Sequence, residues 1–263
     1  MHSCNSKLEL YSNDSFLKVP TFICPNCKSY VSYNDTLEKK IAWLYKNQYW
    51  NDREAEKAIS SNYTDVNSQG KRRNFVSQFE YVKPYLGKKI LEIGVGAGQT
   101  LYWLDKIGYD VMGIEPDPRN VYMINKKIGK TKVIQSFIED IDLEQTYDFI
   151  WVSHVLEHLA RPDVFLKKIS NNIKKDGVIF IEVPNCENPE TLRASITENP
   201  HVHHFSKKGL EILCKEYDIL SLDCFRPATK KEAVINRIKK IPNYPRIKDD
   251  KGRDMRILIR RKN

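Results

Sequence analysis

Lys89-Ile90-Leu91-Glu92-Ile93-Gly94-Val95-Gly96-Ala97-Gly98 decides how the rest of the chain is read. A short apolar run carries one acid, and glycines follow at alternate positions. Such a run reads as a buried parallel strand. The glycines read as a tight turn where a ligand can approach bare backbone before the next helix begins. A dinucleotide fingerprint needs G-x-G-x-x-G. Counted from Gly94 the third glycine falls on Gln99, and counted from Gly96 it falls on Leu101, so the pattern is instead E-x-G-x-G-x-G.

Outward from this run, strands alternate with helices. Lys89–Ile93 is the first strand, Asp110–Ile114 the second after a helix over Thr100–Ile107, and Lys132–Ile134 a short third. Tyr147–Val152 is the fourth, Gly177–Val183 the fifth after a helix over Val164–Ile173, and Ile219–Cys224 with Arg256–Ile259 form a last pair. The expected fold is α/β: a Rossmann-like, seven-stranded, mostly parallel sheet with helices on both faces and a small N-terminal extension. Right-handed crossovers put the strand ends on one edge, where open α/β sheets bind ligands. Glu115 ends the second strand and can accept hydrogen bonds from two ribose hydroxyls. Its spacing from Gly94 also suits an NAD site, and the missing third glycine argues against that reading.

Four further segments follow strand ends: Gly113-Ile114-Glu115-Pro116-Asp117, Ser136-Phe137-Ile138-Glu139-Asp140, Val152-Ser153-His154-Val155-Leu156-Glu157-His158-Leu159, and Pro184-Asn185. Together with the glycine run they resemble the class I S-adenosylmethionine (SAM) methyltransferases, in the group that includes sugar, quinone and small-molecule enzymes. The resemblance covers roughly residues 70 to 225. It implies that Gly94, Gly96 and Gly98 pass under the amino-acid end of SAM with Glu92 near it. It also implies that Phe137 and Ile138 line the adenine, with Glu139 close to the exocyclic amine. Ser153 joins this cofactor set, and His154 faces the methyl donor.

His154-Val155-Leu156-Glu157-His158 also matches H-x-x-E-H, a zinc-protease pattern whose histidines share a helix face. That reading needs a metal-site fold, and here the motif starts at a strand end. Methyl transfer is an in-line displacement in which positioning supplies up to roughly 7–11 kcal/mol. A general base adds about 10²–10⁴-fold, and histidine suits that role near neutral pH. His201, His203 and His204 lie in Asn199-Pro200-His201-Val202-His203-His204-Phe205-Ser206, which resembles the substrate-side H-x-H-x-F-S segment of the same enzymes. Ser206 caps a helix carrying Leu210, Ile212 and Leu213. The expectation is that His203 or His204 deprotonates or hydrogen-bonds the acceptor while His154 orients it; metal binding and packing are the alternatives for this cluster. No [N/D]-P-P-[Y/F] follows the fourth strand, which disfavours methylation of planar nitrogens. Ser153 stands where metal-dependent catechol enzymes would place an acid, which disfavours a magnesium-assisted route.

The chain has 263 residues and a net charge of +9. From position 226 onward, fourteen Lys and Arg face four Asp and Glu, so the rest is close to neutral. The divisions expected are a Cys-containing module over 1–35, a helical cap or linker over 36–86, and a methyltransferase domain over 87–263 with its basic segment from 226. Cys24-Pro25-Asn26-Cys27 has the spacing of half a tetrahedral zinc site, with Cys4 and His2 as further candidate ligands. The aromatic stretch Trp43 to Trp50 suits a cap or a substrate lid. Scattered cysteines in a chain of this size suit a reducing cytoplasm, the N-terminus carries no signal-peptide pattern, and no run reaches the ~20 apolar residues of a membrane span. The leading reading is SAM-dependent O-methylation of a small molecule, a sugar or nucleotide-linked sugar with phosphates that a basic segment would attract. The alternatives are RNA methylation through the basic segment, a non-catalytic SAM-binding scaffold, and NAD-dependent oxidoreduction.

Overall fold

The computed structural model describes residue 4 and residues 6–47, 69–128, 132–238 and 246–262. His2, Tyr49 and Trp50, which entered the zinc and lid expectations, lie outside the described residues.

The first strand of the main sheet, β4 (Lys89–Ile93), is buried along almost its whole length. Apolar residues on alternating sides explain why. Ile90 packs with Phe149, Trp151 and Phe180 on one face, and Leu91 and Ile93 pack with Ile150, Val152 and Ile181 on the other. Strands covered on both faces lose the polar alternation of a half-exposed strand. β4 runs parallel to β5 (Asp110–Glu115) and β7 (Tyr147–Ser153). β6 (Val133–Gln135) extends the parallel set beyond β5, and β8 (Ile173–Pro184) extends it beyond β7. β12 (Asp254–Arg261) and β10 (Tyr217–Pro227) then add antiparallel, and β11 (Arg246–Lys248) closes that edge. The order is β11-β10-β12-β8-β7-β4-β5-β6. The strand latest in sequence therefore lies between β8 and β10, unlike a dinucleotide-binding sheet that ends in order.

The expected architecture stands, with one short strand more than the seven foreseen. Boundaries moved where tertiary contacts override local pattern. The helix foreseen to Ile173 is α5 (Pro162–Ser170), because Ile173 already begins β8. α3 is Gln99–Lys106, and α4 (Pro118–Ile128) follows β5. α2 (Gln69–Val82) packs Phe75 in a stack with Trp103 and Trp151. Among the described residues no helix is long and apolar enough to cross a membrane.

A second sheet has the order β1-β2-β3-β9, from β1 (Glu9–Ser12), β2 (Thr21–Ile23), β3 (Tyr30–Ser32) and β9 (His203–His204). The N-terminal strands thus take their fourth member from the histidine segment, with Tyr30 opposite His204 and Val31 opposite His203. Ser206 then caps α7 (Lys207–Leu213) by accepting from Gly209 N–H at 3.0 Å, as its position in the sequence suggested. The H-x-x-E-H segment is not α-helical. His154 sits at φ +54°, and Leu156–His158 makes a single 3-10 turn.

One buried ion pair ties the antiparallel part to the parallel part. Glu182 of β8 and Arg256 of β12 are register partners, both fully buried, with Arg256 Nε donating to Glu182 Oε2 at 2.5 Å. Arg256 Nη1 also donates to Ser77 O and Oγ at 3.0 Å, and its guanidinium lies 4.3 Å from the Phe225 ring centre. Removing Arg256 takes from the buried Glu182 carboxylate its nearest cation and leaves His154, whose Nε2 lies 3.3 Å from Oε1, to balance it. Arg256→Met should therefore lose about 3–5 kcal/mol of stability, read from urea denaturation. A change below ~1 kcal/mol would show that Glu182 does not depend on this arginine.

Candidate active site

The glycine turn after β4 is shaped by backbone conformations that side chains resist. Gly94, Gly96 and Gly98 have φ of +71°, +52° and +75°. A Cβ on Gly94 would fall 2.3 Å from Val155 Cγ2, so this glycine lets the H-x-x-E-H segment pack against the turn. A Cβ on Gly96 would meet nothing within 4 Å, because Gly96 borders open space. That space is a cavity of about 650 Å³ at the carboxyl edge of β4, β5 and β7, with Gly94, Gly96, Glu115, Phe137 and Ser153 in its wall.

Glu115 is held ready by the turn itself. Gly96 N–H donates to its Oε2 at 2.7 Å, and Asp117 N–H donates to its Oε1 at 3.0 Å. Burial raises the pKa of this carboxyl, against the pull of those two donors. Phe137, 38% exposed, offers an uncovered aromatic face to the cavity, and Ile138 backs it. Ser153 Oγ accepts from Gln78 Nε2 at 2.9 Å. Glu139 also lines the cavity. From the helix α1 (Leu37–Asn47), Glu38 and Ile41 close one side, while Trp43 of the same helix is 54% exposed.

Two residues assigned to the cofactor stand behind the cavity wall. Glu92 is buried, accepts from Leu101 N–H and the Thr100 hydroxyl at the start of α3, and is pushed up to about 8 by burial. It supports the turn from behind, against the start of α3. Gly98 is the left-handed residue that opens α3 and is likewise absent from the cavity wall.

His154 faces the cavity through a charged frame. Its Nδ1 lies 3.1 Å from Glu157 Oε1 and its Nε2 lies 3.3 Å from Glu182 Oε1, while its side chain is 41% exposed. Burial opposes charge on this ring, but the two carboxylates outweigh it and raise its pKa to about 10. Burial likewise favours neutral Glu157, yet His154 holds that carboxyl below its usual range. Glu182 is lowered too, because Arg256 and His154 outweigh its burial.

The other two histidines expected to act on the acceptor lie elsewhere. His204 is fully buried, with Nδ1 2.7 Å from Ser195 Oγ and Nε2 3.1 Å from Ser32 Oγ. Burial pushes its pKa well down. His203 is stacked on Phe205, with Nε2 3.4 Å from Ala160 O, and borders only a small cleft. Neither lines the 650 Å³ cavity or a second one of about 800 Å³ next to it. The structure therefore places both in β9, paired with β3 and away from the walls of these two cavities. His154 and His158 line both large cavities, and Glu157 and His201 line the second. Glu182, Gln78 and Arg256 belong to no sequence motif; an acid and an arginine inside apolar runs that read as buried strands were the available signal.

Residues 56–219 of the chain match the family model described as "Methyltransferase domain". The chain belongs to this methyltransferase family. A ubiquinone biosynthesis O-methyltransferase of Bradyrhizobium diazoefficiens is 27% identical over 103 residues, which is 38% of this chain and 41% of that one. The human mitochondrial enzyme of the same name is 29% identical over 114 residues, 39% of this chain and 30% of that one. The chain spans less than half the length of these curated relatives. A SAM dependent methyltransferase from Archaeoglobus fulgidus superposes with a TM-score of 0.55 at 20% identity, covering 72% of this chain and 94% of that one. The plantazolicin methyltransferase BpumL in complex with SAH (S-adenosylhomocysteine) gives 0.55 at 16% identity, covering 86% and 100%. The fold is that of class I SAM-dependent methyltransferases.

The residues present fit SAM. Glu115 offers a fixed carboxylate for a ribose diol, Phe137 and Ile138 offer an apolar face for adenine, and the Cβ-free turn gives close approach. Glu115→Gln should weaken SAH binding roughly 10- to 100-fold by calorimetry, the scale of a charged hydrogen bond; unchanged affinity would place the ribose elsewhere. The His154 frame makes a separate prediction. Its pKa is higher folded than the ordinary 6.5, so its stabilisation is complete below about 6.5 and fades as pH rises through about 10. The protein should therefore lose stability between about pH 7 and 10 more steeply than His154→Gln does. Equal slopes would mean that this ring is uncharged.

Proposed function

We propose that this chain is a SAM-dependent O-methyltransferase whose acceptor is a polar, hydroxyl-bearing small molecule of the sugar or nucleotide-linked sugar class. The second cavity carries this reading. Arg193 and Arg253, ion-paired to Glu198 and Glu190 of the same wall, line it with Asn199, Ser195 and Thr191, beside Glu157 and the histidines. Alternating donors and acceptors suit an acceptor that presents several hydroxyls, whereas a lipid-tailed phenol needs an apolar channel. The relatives named for ubiquinone biosynthesis keep a phenolic acceptor as the second reading.

The chain's own contribution is placement. When bound, SAM supplies a methyl group on a positively charged sulfur, activated toward an oxygen nucleophile. Glu115, Phe137 and the glycine turn would fix the nucleoside. The cationic His154, anchored on two carboxylates, stands at the boundary with the second cavity, where a hydroxyl would meet the methyl group. Such alignment is the larger part of the available acceleration.

The basic segment supports a small acceptor more than RNA. Arg226, Arg246, Lys248, Arg253 and Arg256 are all engaged with acids of the fold, which leaves less charge for phosphates. A reducing, cytoplasmic setting belongs to the same proposal and fits the buried thiols of Cys186, Cys214 and Cys224. A structural zinc ion is a further part of it. The sulfurs of Cys4, Cys24 and Cys27 lie within 4.8 Å of one another, a cluster of soft ligands suited to tetrahedral zinc. The Cys27 carbonyl accepts from Ser206, so a metal there would brace the β9 segment.

Two experiments test these statements. Isotope-labelled SAM should transfer label to a member of a nucleotide-sugar panel and not to RNA or to a polyprenyl catechol. Label on the catechol alone would establish the second reading. Tag-free protein should carry close to one zinc per chain by mass spectrometry, and Cys24→Ser should lose it. Metal-free protein with unchanged melting would rule the ion out.

A further inference from the structure

The wall between the two large cavities is made by His154 and His158, the only two of the described histidines that line both. A methyl group passing from one cavity to the other crosses at these rings. They are not equivalent. Both nitrogens of His154 are on carboxylates, and its ring already holds its proton at neutral pH. It has no capacity to take another.

His158 differs in its tautomer. Its Nδ1 lies 3.2 Å from the Pro200 carbonyl oxygen. A carbonyl only accepts, so Nδ1 carries the hydrogen, and in the neutral ring Nε2 is the basic nitrogen. Burial lowers the pKa of this ring, so it is neutral at pH 7. The groups that face it are Glu157 and His154 from its own segment, and His201 and the Pro200 carbonyl from the segment before β9. Glu157 is fully buried, and its Oε2 has no hydrogen-bond partner among the described residues. A carboxylate oxygen so placed stabilises positive charge that arises beside it.

The alternatives are weaker on geometry. His201 borders only the second cavity, its Nδ1 is 2.7 Å from Ser195 Oγ, and burial drives its pKa down to about 3. Glu157 is committed to His154.

We propose that His158 Nε2 takes the proton of the acceptor hydroxyl during methyl transfer, with Glu157 stabilising the imidazolium that results. The inference rests on the O-methyltransferase reading above. The step balances: the oxygen–carbon bond forms, the sulfur–carbon bond breaks with its electron pair remaining on sulfur, and the hydroxyl proton passes to His158. The imidazolium then releases that proton to water entering the open second cavity.

Two measurements decide it. Nitrogen-15 NMR of the imidazoles, with His158 assigned by its loss in His158→Asn, should show Nδ1 protonated and Nε2 bare at pH 7. A ring protonated at Nε2, or at both nitrogens, would overturn the proposal whether or not an acceptor is known. With the nucleotide sugar that turns over, His158→Asn should lower kcat by about 10²–10⁴-fold, while KM and the SAH dissociation constant stay within about twofold. The rise of rate with pH through the His158 titration should vanish in the variant. A kcat within threefold of the parent enzyme would reject His158 as the proton acceptor. If no nucleotide sugar turns over, the acceptor class fails instead, and the NMR result still fixes where the proton sits.

Discussion

Two positive and two negative side chains alternate through the centre of this protein: Arg256, Glu182, His154 and Glu157. Each inner member touches a partner of opposite sign on both sides. Taken singly, such charges are expensive to bury, and an ion pair in a dry interior rarely gains more than a well-packed apolar pair would. Placed in sequence they are neutral together. Gln78 from α2 adds a hydrogen bond to Glu182 at 2.6 Å, and Ser77 from the same helix receives Arg256. The ladder therefore ties α2, β8 and β12 to the segment after β7. Its specificity has a structural consequence: His154 stays at a positive φ that an L-residue resists. Backbone strain of this kind persists only where surroundings over-determine it. Here they do, through two carboxylates on the ring and Val155 packed against the Cβ-free Gly94.

This arrangement divides the labour of the site. The glycine turn and Glu115 deal with the nucleoside end of a ligand, and their readiness comes from backbone donors that already hold the carboxylate in place. The His154 ring supplies fixed positive charge at the boundary. His158 is left to handle protons, because its tautomer is set by a backbone carbonyl and not by an acid. The two histidines differ by four positions and have opposite shifts in pKa, one raised by carboxylates and one lowered by burial. Their roles follow from one neighbour, Glu157, and from two partners farther along the chain, Glu182 for His154 and Pro200 for His158.

Much of the sheet was legible because buried parallel strands are written in continuous apolar runs. β4, β5 and β7 ended within about a residue of where their patterns ended, and the carboxyl-edge residues Gly94, Glu115, Phe137 and Ser153 came with them. The histidine loop was less legible. Residue type and a familiar spacing made His203 and His204 look reactive, whereas pairing with Tyr30 and Val31 turns them into strand residues. That pairing joins segments about 170 positions apart, and no local pattern encodes it. Glu182 and Arg256 were visible as charges inside apolar runs, yet only their register across β8 and β12 shows that each answers the other. Glu92 shows a third kind of difference: it lies in the motif strand, but its carboxyl turns back toward α3.

The account stands most directly on where the sulfur of the demethylated cofactor lies. A crystal structure with SAH should place its ribose on Glu115, its adenine against Phe137, and its sulfur beside His154, open toward the cavity bounded by His158. An SAH molecule with its sulfur turned away from that boundary, or lodged outside the glycine turn, would contradict it.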